Sequence, residues 1–256
     1  MRSKDGCGNG QAIMNWRTFI EDICDIIYPP ANTCIFCEQE NELVMPYNIC
    51  RRCWDMLPFV RPPLCDICGK PIDSAKQHIC RDCAEYSRSF IKAGAVLEYM
   101  PSVHETIYRY KYKGHSELAK PLGILMAHVV SRLAWPDIDA LVPVPLYSER
   151  LRQRGYNQSA LLARYMGYEL NLPVLDKALY RCRDTKAQAA LDRAERRANI
   201  AGAFTVKNLK YTEGKTIMLI DDILTTGATA DACTQALLAG GARAVYVFTL
   251  ATGVLK

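Results

Sequence analysis

The chain has no run of roughly 20 consecutive apolar residues, the length that a bilayer-spanning helix needs, although 50% of its 256 residues are hydrophobic. That sets aside channel and carrier functions built on membrane-crossing helices. No export signal is expected from the N-terminal residues either. Arg2 and Lys4 stand near the start, but Asn15, Arg17, Glu21, Asp22 and Asp25 interrupt the apolar positions that follow, and no small-residue cleavage site closes them. The expectation is a cytoplasmic protein without membrane insertion. No Gly-Lys-Thr or Gly-Lys-Ser stands at a helix start, which argues against a P-loop. Low-complexity tracts are absent, and the only internal repeat is a doubled cysteine unit. The formal net charge of +5 neither demands nor excludes a nucleic-acid partner.

Cysteine is abundant instead. There are 12, and eight of them form Cys-x-x-Cys pairs: Cys34/Cys37, Cys50/Cys53, Cys65/Cys68 and Cys80/Cys83. Two residues between cysteines turn both thiolates of a knuckle toward one metal. Two knuckles complete a closed tetrahedron, which is a structural zinc site with no open position for catalysis. Two structural zinc ions are therefore expected. Spacing leaves sequential and interleaved ligation both open, with the short intervals favouring sequential ribbons. A disulfide framework fits poorly beside an ordinary cytosolic α/β pattern, and a redox Cys-x-x-Cys would normally occur once. Cys24 and Cys233 lie on apolar helical faces and read as buried small hydrophobes.

The organisation follows from these signals. Residues 1–15 begin polar and Gly-rich and read as a disordered start. Residues 16–30 read as an amphipathic helix, with Trp16, Phe19, Ile20, Ile23, Cys24 and Ile27 at helical spacing before Tyr28-Pro29-Pro30. Its apolar face has two candidate partners, the large domain or a second copy in a homodimer. Residues 31–86 read as a double zinc ribbon whose metal supplies much of its folding energy. Within it, Trp54 beside Arg51 and Arg52 reads as packing, with base stacking as the alternative. Residues 88–256 alternate strands (90–99, 138–144, 204–206, 216–220, 243–250) with helices (103–113, 118–133, 158–170, 187–199, 227–240). That alternation predicts an α/β domain with a mainly parallel sheet flanked by helices, binding ligands beyond the carboxyl ends of its strands.

Residues 217–229, IMLIDDILTTGAT, carry the chemistry. Four apolar residues, Ile217 to Ile220, form a buried strand that meets two carboxylates, Asp221 and Asp222. Thr225, Thr226, Gly227, Ala228 and Thr229 then turn into an apolar helical pattern. A strand turning through Thr-Thr-Gly into a helix builds an anion site from backbone N–H groups, the positive end of the helix dipole and threonine hydroxyls. Gly227 lets the backbone approach the ligand. Carboxylates one step earlier accept hydrogen bonds from a sugar diol, so the pattern suits a ribose 5-phosphate. A second strand ends on Pro143-Val144-Pro145 and is followed by Arg150, Arg152, Arg154 and Gln158. A third segment, 181–204, is strongly basic. Arg193 and Arg197 there read equally well as a solvated face.

The 217–229 run closely resembles the phosphoribosyl diphosphate (PRPP) motif of type I phosphoribosyltransferases. All of the segments together resemble the ComF family of competence proteins, in which Cys-x-x-Cys ribbons precede such a domain. The matching pieces are Lys111–Gly114, Arg154-Gly155-Tyr156-Asn157-Gln158, and Thr185, Gln188, Leu191, Glu195, Arg196, Asn199 and Phe204. The resemblance implies a type I phosphoribosyltransferase fold behind an N-terminal double zinc ribbon. Asp221 and Asp222 would hold the ribose hydroxyls, Thr225 to Thr229 the 5-phosphate, and Pro143, Val144 and Pro145 would border the site. Mg²⁺ would accompany PRPP, and Lys111, Arg150, Arg154 and Arg196 would absorb the charge of departing pyrophosphate. Residues 183–200 would close over the site as a lid against water. Nothing in the chain names an acceptor or a general base. Two readings of different class result: a PRPP-using transferase, or a PRPP- or nucleotide-binding protein of DNA uptake that meets single-stranded DNA or competence proteins.

Overall fold

A computed structural model describes residues 33–74, 76–183 and 193–253, except for the side chains of residues 193, 194, 196 and 197. The expected disordered start and the helix of residues 16–30 lie outside the described residues. The first ribbon carries β1 (Leu43–Val44), β2 (Ile49–Cys50) and helix α1 (Arg51–Met56), and the second ends in α2 (Arg81–Glu85). The α/β part then runs β3 (Lys92–Glu98), α3 (Pro101–Tyr112), α4 (Ala119–Val130), β4 (Ala140–Pro143), α5 (Ser148–Arg154) and α6 (Gln158–Leu170). It continues with β5 (Leu179–Arg181), α7 (Arg193–Ile200), β6 (Phe204–Val206), β7 (Thr216–Leu224), α8 (Ala228–Ala239) and β8 (Ala244–Thr252).

Four strands form one sheet in the order β3-β8-β7-β4, and every pairing is parallel. The α/β architecture expected from alternation, a parallel sheet flanked by helices behind a double ribbon, is the one observed. Strands buried on both faces read as continuous apolar runs, and β7 shows why. Met218 and Ile220 enter one hydrophobic cluster with Leu125, Leu162 and Met166 of α4 and α6. Ile217 and Leu219 enter the other, with Cys233 and Leu237 of α8. Helix α3 buries Val103, Thr106, Ile107 and Tyr110, the spacing of one helical stripe. Helix α6 buries Ser159, Leu162, Ala163 and Met166 in the same way and is capped by the Asn157 side chain on Ser159 N.

Each ribbon belongs to one face of this sheet. Cys34 and Cys50 share the cluster of α4 and α6, and Cys65, Cys68, Cys80 and Cys83 share the cluster of α8. Between them the module runs along β3, the edge strand. Val60 N bonds Val96 O at 3.0 Å, Glu98 N bonds Pro58 O at 2.8 Å and Ala93 N bonds Ile67 O at 2.7 Å. Gly69 makes the approach possible: it has a φ of +68°, and a Cβ there would lie 2.4 Å from Ala93 O. On the other side the buried Arg109 guanidinium ties α3 to the first knuckle through Ile35 O and Glu38. Trp54 stacks on Tyr47 with ring centroids 5.0 Å apart and leans on Phe59 at 5.3 Å, so it packs the module as preferred above.

Two local expectations change. The 216–220 strand continues through Leu224, because β8 keeps pairing with it as far as Leu224 opposite Thr252. The stretch after Pro143-Val144-Pro145, for which no helix is expected, contains helix α5 with Arg150, Arg152 and Arg154 on it. The antiparallel pair β5–β6 stands apart from the main sheet.

Candidate functional site

The two strands that flank the site end at different heights. β4 pairs with β7 only up to Pro143 opposite Ile220, and the last contact is Val144 N to Ile220 O at 2.9 Å. Beyond that point β7 is paired on the β8 side alone, and Asp221 and Asp222 lie in the stretch that β4 leaves open. Successive strand residues point to opposite faces, so the two carboxylates divide. Asp221 borders a concavity of about 260 Å³ together with Thr225, Thr226, Gly227, Ala228 and Thr229. Asp222 faces α3, where Lys111 Nζ lies 2.9 Å from Oδ2 and both side chains are largely buried.

Asp221 Oδ1 accepts from Ser159 Oγ at 2.8 Å and from Asp222 N at 2.9 Å. Burial, joined by the Asp222 charge, still pushes the Asp221 carboxyl up from 3.8 to about 7, against the pull of Lys111 and of these donors. For Lys111, burial acts to lower the amine pKa, and the Asp222 carboxylate overrides it, holding the ammonium above its ordinary value. The Asp221 carboxyl thus titrates near 7 beside the Lys111–Asp222 ion pair.

The loop after β7 turns into α8 at Gly227, whose φ of +77° makes it a left-handed N-cap. Thr226 Oγ1 accepts from Ala228 N at 3.4 Å, a long bond. The first turn of any helix leaves backbone N–H groups without intrahelical acceptors, and here they adjoin the Asp221 concavity. Lys111 also borders a larger concavity, of about 980 Å³, shared with Tyr112, Gly114, Arg150, Gln153 and Arg154. Arg154 lies 5.0 Å over the Tyr112 ring and bonds the Gln158 side chain. Lys111 borders this larger concavity, and its partner Asp222 directly follows Asp221, which borders the smaller one.

Of the expected site residues, the structure brings together Asp221, Asp222, Lys111 and the 225–229 loop, with Pro143 and Val144 on the adjoining strand and Arg150 and Arg154 across the larger concavity. Pro145 follows directly. The Arg196 side chain and residues 184–192 of the expected lid lie outside the described residues. Two contributors went unrecognised in the sequence. Ser159 binds Asp221, and its only signal was a hydroxyl two residues after a helix-capping Asn157. Arg88 packs against Gly227, with Nη1 3.2 Å from where a Cβ would stand, and no motif marks it.

The cysteines group as Cys34, Cys37, Cys50 and Cys53, and as Cys65, Cys68, Cys80 and Cys83, so grouping is sequential. In each group the sulfurs lie within 4.8 Å of one another. A tetrahedral zinc with Zn–S bonds of about 2.3 Å has S···S edges of about 3.8 Å. Cys37 and Cys50 sulfurs are 3.8 Å apart, and Cys68 and Cys80 sulfurs 3.5 Å, so both sets fit the ion. Hydrogen bonding among the thiols already separates them: contact with Cys68 holds Cys65 far below the ordinary thiol range, and the same contact holds Cys68 far above it. Among the described residues no helix is long and apolar enough to cross a membrane.

Comparison with known proteins agrees with this layout. A family model described as a double zinc ribbon domain matches residues 23–84. A glutamine PRPP amidotransferase from B. subtilis, solved with ADP and GMP, overlaps 55% of this chain and only 30% of its own, at a TM-score of 0.38 and 17% identity. An overlap that loose assigns nothing. Sequence relatives carry more weight. Competence protein F of Haemophilus influenzae is 28% identical over 85% of this chain and 96% of its own length. DNA utilization protein YhgH of Escherichia coli is 31% identical over 73% and 83%. With 33% identity to competence protein ComFC of Bacillus subtilis, over 79% of this chain and 83% of that protein, the chain belongs to the ComF family of competence proteins.

Proposed function

We propose that this protein binds PRPP, or another ribose 5-phosphate ligand, with the phosphate on the 225–229 loop and the ribose diol against Asp221 and Asp222. On this reading it transfers the phosphoribosyl group to an acceptor and releases pyrophosphate. The observation that carries it is the opening beyond the end of β4, where two carboxylates precede a glycine-capped helix start and Asp222 is paired with Lys111, which lines a basic concavity. Backbone N–H groups suit the 5-phosphate. The Lys111, Arg150 and Arg154 side chains suit the diphosphate, whose charge grows as it leaves. Lys111 and Asp222 neutralise each other across 2.9 Å. When the diol takes hydrogen-bond capacity from Asp222, the Lys111 ammonium becomes available to the diphosphate. The carboxylates and the open concavity are the hard-oxygen surroundings that Mg²⁺ accepts. Carried in on the diphosphate, the ion would supply charge neutralisation there. The 183–200 segment, Arg196 included, would exclude water.

The test is thermal. PRPP with Mg²⁺ should raise the melting temperature, because a ligand of the folded state alone stabilises it by mass action. Asp221→Ala with Asp222→Ala should erase the shift, and an undiminished shift in that double variant would move the ribose site elsewhere. Release of pyrophosphate on addition of a metabolite pool would establish turnover.

A second reading is favoured by the names of the relatives, which denote competence and DNA utilization. Here the PRPP or nucleotide ligand regulates, and the protein serves DNA uptake through single-stranded DNA or competence-protein partners. PRPP binding without turnover under any acceptor pool supports it.

A further inference from the structure

The few residues after the second ribbon, 86–89, determine how it meets the phosphate loop. Cys83 lies in α2, and the chain then crosses directly to the start of α8. Ser89 N donates to Asp231 Oδ1 at 2.6 Å, and Asp231 stands in the first turn of α8. One residue earlier, the Arg88 guanidinium lies against Gly227: a Cβ on that glycine would be 3.2 Å from Nη1 and 3.3 Å from Cζ. A Cβ there would press on the guanidinium, and the φ of +77° favours glycine in any case. The Nε of the same guanidinium is buried without a hydrogen-bond partner, and Arg88 follows Cys83 of the second cysteine cluster by only five residues. Arg88 thus stands on the short link between a cysteine of the second cluster and the loop that turns into α8, and packs on that loop.

We propose that Arg88 couples the second zinc site to the phosphate loop, so that metal at Cys65, Cys68, Cys80 and Cys83 and a ribose 5-phosphate at residues 225–229 strengthen each other's binding. The inference rests on the phosphate-loop reading above. A zinc ion fixes Cys83, which fixes residues 86–89. Those residues then hold Arg88 and Ser89 on the first turn of α8 and place a cation beside the N-terminus that receives the phosphate. Coupling of this kind is reciprocal by linkage. Arg88 is a positioning residue: it acts through the loop, and Lys in its place would keep the charge while losing the planar fork that packs on Gly227.

The experiment uses the zinc-loaded full-length chain, with zinc release to a chromophoric chelator followed with and without saturating ribose 5-phosphate. In the wild type, one of the two release phases should slow about fivefold or more and the other should not change. In Arg88→Ala both phases should ignore the sugar phosphate, and its affinity measured by calorimetry should fall about tenfold. Arg88→Lys should recover affinity in part and leave the release phases uncoupled. The proposal is overturned if saturating ribose 5-phosphate leaves both wild-type phases unchanged, or slows release equally in Arg88→Ala. If calorimetry detects no ribose 5-phosphate binding to the wild type, the phosphate-loop reading itself fails and the coupling falls with it.

Discussion

Replacing Asp221 by Asn should make the protein more stable at alkaline pH and useless for ribose. The Asp221 carboxyl is held near 7 in the folded state against an ordinary 3.8. The folded state therefore keeps its proton to higher pH than the unfolded chain does. Between those two values it binds more protons, so stability falls as pH rises through the window. At about 1.36 kcal/mol per pH unit, ionising Asp221 costs the folded state on the order of 4 kcal/mol above pH 7. Asparagine has no such slope, and its side-chain oxygen still accepts from Ser159 Oγ and Asp222 N. The difference between variant and wild type should then move in the variant's favour by about 2 to 3 kcal/mol from pH 5 to pH 8. Urea unfolding of both proteins at the two pH values, with zinc present throughout, measures it, and any zinc-linked effect cancels in the comparison. A pH-independent difference would refute the buried-carboxyl account, and so would a variant that loses ground as pH rises. Stability gained in this way at the expense of ligand binding is what a functional site predicts.

Elemental analysis should find about two zinc ions per chain; absence of zinc with oxidised cysteines would defeat the ribbon assignment. Lys111→Ala leaves a buried Asp222 carboxylate without its cation and should cost about 2 to 3 kcal/mol by denaturant unfolding, most of it recovered when Asp222→Asn is added; additive losses would mean that the pair does not matter. Gly227→Ala meets both a φ of +77° and the Arg88 guanidinium, so it should cost at least about 1 kcal/mol and erase ribose 5-phosphate binding; retained binding would show that the loop does not need its left-handed cap. Arg196→Ala should weaken PRPP at least about tenfold and ribose 5-phosphate less than about threefold. Equal losses for both ligands would assign Arg196 to the fold instead of a lid.

Much of this was legible because it is local. The cysteine pairs carry their own geometry, and the Ile217–Thr229 run states strand, acids, turn and helix in order. Helix 158–170 and strand 204–206 follow directly from spacing. What stayed hidden depends on partners distant in sequence. Alternation along β7 could not be read while the strand seemed to stop at Ile220, since its continuation rests on pairing with β8, so the division of Asp221 and Asp222 between two faces was invisible. Helix α5 was masked by the proline-rich turn before it. Lys111 was marked as a cation near a glycine, but only the packing of α3 shows that it is paired with Asp222. Ser159 and Arg88 owe their places wholly to tertiary contact.

The ribbons' grip on β3 has a consequence for how cells must handle this protein. An uncovered edge strand offers a row of unpaired amide groups to any other chain with a free edge. The peptide running from Pro58 to Ile67 occupies that row, and it is held in shape by two metal sites. Zinc scarcity would therefore do more than loosen a small appendage. It would uncover a sticky margin on the main sheet together with apolar surface on both of its faces, turning a shortage of metal into a load on chaperones and proteases. A fragment beginning at residue 88 would be born in that condition.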